Sequence, residues 1–217
     1  MFLGACLMAI GIKILDSVKT IEKKVNALLS NELNTLLTSN KTKFEARAKE
    51  FVKTCILEQP EIASLKAGGV GSLAAQVGIP AGREDSIVES IIMSIVNATR
   101  VNIRKFDIKL NGRLEINFQP ADFVNLVSMQ QGIVHTEKGD SLDWLSWLLK
   151  EGAKPIIIGY QYQAQAGGRS RGGIMEKGTS WRIPPQFAGT ETDNFITRAF
   201  SDREKEIQDL FAKLLGA

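Results

Sequence analysis

Gly168-Arg169-Ser170-Arg171-Gly172 has the spacing G-x-S-x-G, which in α/β-hydrolases sets a serine on a tight strand-to-helix turn where its hydroxyl can attack an acyl carbon. That chemistry needs a histidine base after the serine and a helix behind the turn. The single histidine, His135, precedes the serine, and Gly173-Ile174-Met175 has the composition of an extended segment. Ser170 is therefore not expected to be a nucleophile. The same glycines, next to Arg169 and Arg171, could turn consecutive backbone N–H groups toward an anion. A P-loop is excluded, because its lysine-hydroxyl ending and its following helix are missing. Two readings of the segment stay open: a flexible hairpin tip with solvated arginines, and a loop that contacts a partner.

No other constellation supports catalysis. One histidine with Cys6 and Cys55 cannot fill a zinc site, so no metal or cofactor is expected. Two cysteines in a chain of this size make no disulfide framework, and both are expected as buried thiols in a reducing compartment. Thr190 could cap a helical turn with Asp193 at its third position, and Asp193 could pair with a basic residue. A single acid with Arg198 is still not an acid/base pair. The charge balance, 27 basic against 24 acidic residues for a net +3, provides no global field for nucleic-acid binding. Any DNA contact must be local, through Arg169, Arg171, Lys177 and Arg182. Trp144 and Trp147 fall on adjoining faces of a short helix and read as core-facing anchors, while Trp181, just before Pro184-Pro185, reads as a core residue or as an interface anchor.

These residues must be held by a scaffold, and the apolar pattern outlines it. MFLGACLMAIGI at residues 1–12 imitates an export signal, but no basic segment precedes it, and it falls short of the about twenty apolar residues a membrane span needs. It reads as the apolar start of a packed helix or as a partner-docking arm. From Leu7 to Leu37 the pattern is helical. Ile14, Val18, Ile21, Val25 and Leu28 form a heptad seam, which must be buried on the chain's own domain or in an intermolecular coiled coil. A second helix is expected near Asn40, where Thr42 to Glu45 fits a capping box. Pro60 ends it or starts the next. The glycines from Gly68 to Gly82 read as a connector, and Asp85–Ala98 as an amphipathic helix on a sheet.

Residues Val101 to Phe118 alternate on both sides of Asn111-Gly112, the signal of a hairpin with a two-residue turn, and the phase slip between Ile103 and Phe106 suggests a bulge. Pro120–Val127 reads as a short helix and Gln131–Asp140 as a polar loop. Ser141 or Asp140 caps a helix over Leu142–Lys150 that ends at Gly152. Pro155–Gln163, Gly173–Glu176 and Ser180–Ile183 read as strands, the last two joined through Lys177-Gly178. A terminal helix follows the box Ser201 to Glu204, with Ile207, Leu210, Phe211 and Leu214 on its docking face. The expected class is α+β: a small antiparallel, curved sheet covered by helices, with a long N-terminal helical region. The division is residues 1–67 (helical) and 68–217 (α+β), either separate or as one continuous domain.

The strings Leu142–Leu149, Ser170–Met175, Trp181–Thr190 and Asn194–Ala199 together resemble virion proteins of tailed bacteriophages, those of the head–tail neck or of tail completion. The resemblance covers the last third of the chain most strongly. It implies a non-enzymatic structural protein assembled as a homo-oligomeric ring on the virion axis. Its partners would be other neck or tail proteins, with contact to packaged DNA and none to membrane. Assembly in the host cytoplasm and residence in the virion follow. Adaptor, stopper, tail terminator and tail-completion protein share this architecture. The alternative is a nucleic-acid-contacting accessory protein that uses the basic glycine loop. The candidate inter-subunit or DNA-facing contacts are Arg169, Ser170, Arg171, Gly173, Met175, Lys177, Trp181, Arg182 and Arg198.

Overall fold

The structure is a computed structural model that describes residues 16–120, 122–135 and 139–215. The apolar arm at residues 1–12, with Cys6, and Ile14 of the heptad seam lie outside the described residues. The chain divides into two compact units: residues 1–39 with 103–114, and residues 40–102 with 115–217.

Helix α1 (Val18–Leu57) runs through 40 residues without the expected break at Asn40. A capping box contributes only about 1 kcal/mol. Against it stands the phase of the buried positions: Ser30, Leu37, Phe44, Ala48 and Val52 all lie on one helix face, which a break would lose.

In the smaller unit α1 carries the loop at residues 103–114. The Asn34 amide clasps the backbone of Phe106, accepting from its N–H at 2.8 Å and donating to its carbonyl at 2.9 Å. The heptad seam is turned away from this contact. Val18 and Leu28 are 80% and 70% exposed, and Ile21, Val25, Leu29 and Leu36 are exposed beside them. Among the described residues nothing covers the stripe.

Strands β1 (Arg100–Arg104) and β2 (Arg113–Asn117) pair as expected, but not through a two-residue turn at Asn111-Gly112. Asp107 captures the reversal instead. Its Oδ1 accepts from the N–H groups of Lys109 and Asn111 at 2.8 and 3.0 Å, and Leu110 takes the left-handed conformation at φ 61°. These backbone donors hold the Asp107 carboxyl below its ordinary value. Gly112 serves close packing, since a methyl group there would enter the Phe106 ring.

The larger unit holds the core. Helices α2 (Pro60–Ala67), α3 (Leu73–Val77) and α4 (Glu84–Ala98) follow α1. The apolar face of α4, with Ile87, Val88, Ile91, Ile92 and Ile95, is buried with Val52, Cys55 and Ile56 of α1. Next come α5 (Val124–Val127), a 3-10 turn at Gln130–Gly132, and the ribbon of β3 (Ile133–His135) with β4 (Ser141–Asp143), in which Val134 pairs with Leu142. The stretch expected as a polar loop thus contains a strand. Helix α6 (Trp144–Leu149) is shorter than expected, because residues 141–143 belong to β4 and Asp143 is the cap, accepting from the Ser146 N–H at 3.2 Å. Trp144, Leu145, Leu148 and Leu149 are fully buried.

Strands β5 (Ile157–Gln163) and β6 (Ile174–Trp181) form the third ribbon, antiparallel from Ile157↔Trp181 to Gln163↔Ile174. The two strands expected at residues 173–183 are one strand. The break suggested by Lys177-Gly178 is a bulge: Gly178 and Thr179 together oppose Gly159, which has φ 84°.

Helix α7 (Phe195–Phe200) begins at Asn194 rather than at Thr190. Asn194 Oδ1 accepts from the N–H groups of Ile196 and Thr197, and Thr197 Oγ1 accepts from the Asn194 N–H. Thr190 makes the expected bond, its hydroxyl accepting from the Asp193 N–H at 3.1 Å, but the turn it closes does not run on, and the helix starts from the reciprocal pattern at Asn194. Helix α8 (Glu204–Leu215) docks Phe211 on Phe44, ring centroids 5.6 Å apart. The chain is α+β, with its strands in three two-stranded sheets. No helix among the described residues is long and apolar enough to cross a membrane.

Candidate functional site

The segment 167–173 leaves β5 and returns into β6 as a tied loop rather than a flexible tip. Gly168 at φ 69° starts a turn closed by the Arg171 N–H on the Gly168 carbonyl at 3.1 Å. Three further contacts moor it to the glycine connector. The Gly71 N–H reaches the Gly172 carbonyl at 3.3 Å, and the Ala81 N–H reaches the Arg169 carbonyl at 3.2 Å. The Tyr162 hydroxyl donates to the Gly172 carbonyl at 2.6 Å and accepts from the Gly71 N–H at 3.1 Å. Glycine is required where the two loops meet. A methyl group on Gly172 would overlap the Gly69 carbonyl, and one on Gly173 would enter the Tyr162 ring.

This architecture answers the chemical readings of the loop. Ser170 is buried, and its hydroxyl accepts from the Gly172 N–H at 3.4 Å. His135 is exposed, with Nδ1 3.0 Å from the Ser141 hydroxyl. The N–H groups of Arg171 and Gly172 are spent within the loop, so the turn presents no anion nest there.

The candidate contact residues separate by environment. Arg169 is exposed but committed, donating to the His135 carbonyl at 2.9 Å. Arg171, a non-glycine residue at φ 52°, is held outward at the apex and has no partner among the described residues. Lys177 and Arg182 are exposed on and just beyond β6. Met175 is half-buried on the core, while Gly173 and Trp181 are buried. Trp181 has its indole N–H without a partner among the described residues, as does Trp144. The loop therefore brings together Arg169, Ser170, Arg171 and Gly173, and the rest lie along β6 or on α7.

Arg198 belongs to a different cluster. From the last turn of α7 it donates to Asp193 at 2.8 Å and to Glu61 of α2 at 2.5 Å. Glu61 is completely buried, and its second carboxylate oxygen has no partner among the described residues. Burial works against the charge on Arg198, but its hydrogen bonds to Asp193 and Glu61 raise its pKa above the ordinary value. A second pair, Arg203 with Glu58, ties the start of α8 to the end of α1. Cys55, buried as expected, lies 3.4 Å from the Arg203 guanidinium, and burial pushes its thiol up. Among the described residues no group of three His, Cys, Asp or Glu side chains is placed to hold a metal ion.

Sequence reasoning missed one feature of the surface. An open groove of about 500 Å³ lies between residues 116–123 and α7, with Phe118 and Phe200 stacked at 3.8 Å and Glu191 at its wall. The sequence offered only Phe118 and Phe123 on either side of Pro120, and nothing in it links them to Phe200. The chain matches no protein-family model, no curated protein and no solved structure.

Proposed function

We propose that this chain is a non-enzymatic structural protein of a tailed-phage virion, part of the neck or tail-completion assembly that joins head and tail. The observation that carries the reading is the apolar stripe of α1 from Val18 to Leu29, which is exposed and covered by nothing among the described residues. A helix holding such a face in water is marginal alone and gains stability when another surface covers it. The signature strings at Ser170–Met175 and Trp181–Thr190 support the virion assignment by resemblance. Partners are further copies in a ring and neighbouring neck or tail proteins, and the protein assembles in the host cytoplasm. Mass spectrometry of purified virions tests it: the chain is expected in stoichiometric amount, and its absence sinks the assignment. Val25→Glu with Leu28→Glu is expected to leave the fold intact and to reduce incorporation.

A second reading has its own support, the exposed cations Arg171, Lys177 and Arg182, which have no partner among the described residues. On that reading they contact packaged DNA. Each phosphate contact contributes about 0.9 to the salt slope of binding. A slope unchanged by Arg171→Ala with Lys177→Ala removes this reading.

A further inference from the structure

Two features of the larger unit have complementary chemistry and no occupant among the described residues. The groove beside α7 is lined by the stacked Phe118–Phe200 pair and by Glu191, which is exposed and without a partner among the described residues. Aromatic faces attract cations through their quadrupole, most strongly when a carboxylate is near and water is displaced. The planar guanidinium of arginine suits such a site better than an ammonium does, because it can stack on a ring while bonding to a carboxylate. An anion is disfavoured there by Glu191.

The matching cation is Arg171. Its neighbour Arg169 is committed to the His135 carbonyl, and Arg198 to Glu61 and Asp193. Arg171 stands at the apex of a loop tied down on both sides, in a left-handed conformation that non-glycine residues seldom adopt. Such strain persists only where the surroundings impose it, and it aims one side chain outward. The loop is pre-organised, so docking it loses little chain entropy.

We propose that Arg171 of one copy docks in the Phe118–Phe200–Glu191 groove of a second copy. Tip and groove are different patches, so the contact either is reciprocated in a two-fold pair or repeats head to tail; the assembly reading takes the second, which closes into a ring where the rotation permits. The inference rests on the assembly reading above and names a contact for it. Charge complementarity admits any exposed cation, Lys177 and Arg182 included, and the moored, left-handed apex is what distinguishes Arg171 as the occupant.

The test uses the full-length chain in native mass spectrometry and sedimentation velocity over a concentration series at fixed salt. Arg171→Glu and Glu191→Arg are each expected to weaken association by about tenfold or more, the range of a central charged anchor. Both sites are exposed, so circular dichroism and urea midpoints should match the wild type. Mixing the two variants places opposite charges at every contact and is expected to restore association. Equal assembly of wild type and both variants overturns this contact and leaves the virion assignment standing. Loss in each variant without rescue on mixing overturns it too. A wild type that stays monomeric throughout also overturns it, and the virion measurement then judges the assignment separately.

Discussion

Replacing Arg198 by methionine isolates the interaction that joins α2 to α7. Glu61 is completely buried and the Arg198 side chain is about one-third exposed, at 32%. Removing one partner of a buried ion pair costs about 3–5 kcal/mol, because the other charge is left unsolvated. The partial exposure of Arg198 lets water reach the gap, which places the expected loss near the lower end, about 3 kcal/mol. For a urea slope of about 2 kcal/mol per molar, the unfolding midpoint falls by about 1.5 M. Arg198 also bonds Asp193, whose side chain is 71% exposed; Asp193→Asn should therefore cost below about 1 kcal/mol. The decisive arm is the double variant Arg198→Met with Glu61→Leu. Replacing a whole buried pair by apolar side chains is often neutral, so the second substitution should recover most of what the first lost. Urea unfolding followed by tryptophan fluorescence reads all three, since Trp144 and Trp181 are buried in the same unit. An Arg198→Met midpoint equal to that of Asp193→Asn, or strictly additive losses in the double variant, would refute the reasoning.

Tyr162→Phe removes the hydroxyl that bridges Gly71 and Gly172; a loss of about 1–2 kcal/mol is expected, with faster amide exchange at Gly71 and Gly172 while the core amides stay protected. Unchanged exchange at both glycines would show that the bridge does not hold the loops. Burial raises the Asp143 carboxyl above its ordinary 3.8, against the Ser146 N–H that lowers it. The folded state thus holds this proton more tightly than the unfolded chain does. The resulting stability is fully present below the unfolded value and is lost as the pH rises through the folded one. Asp143→Asn keeps a capping oxygen and removes the titration, so its urea midpoint should gain on that of the wild type as the pH rises from the ordinary 3.8 through the raised folded value, then run parallel. A constant difference across that range would contradict the assignment.

Helical periodicity was legible wherever one face met a core. The α4 pattern, the seam of α1 as a helical stripe and the docking of α8 all follow from apolar spacing. Boundaries were less legible, because several residues nearby compete for the same cap. Asn194 displaced Thr190 since it satisfies two N–H groups and receives a third bond in return, a gain visible only once Thr197 is known to be helical. Asn111-Gly112 suggested a tight turn, but Asp107, four residues earlier, offered a side-chain acceptor to two backbone donors, and the reversal widened around it. Gly178 resembled a joint between strands and is instead a close approach under Gln161.

The loop at 168–173 shows what a motif withholds. Its residue types allow a nucleophile, an anion nest or a contact tip, and the choice depends on groups distant in sequence. Gly71, Ala81 and Tyr162 consume its carbonyls, and Ser170 takes up the Gly172 N–H. What the mooring leaves is a single outward guanidinium on a rigid base. The Phe118–Phe200 groove was illegible for the same reason, since its two rings are 82 positions apart and stack only after α7 is seated by Asn194 and Arg198. Anchoring is thus the common cause. The contacts that occupy the loop's carbonyls and the Ser170 hydroxyl also fix the backbone under Arg171, which is what the proposed docking on a second copy requires.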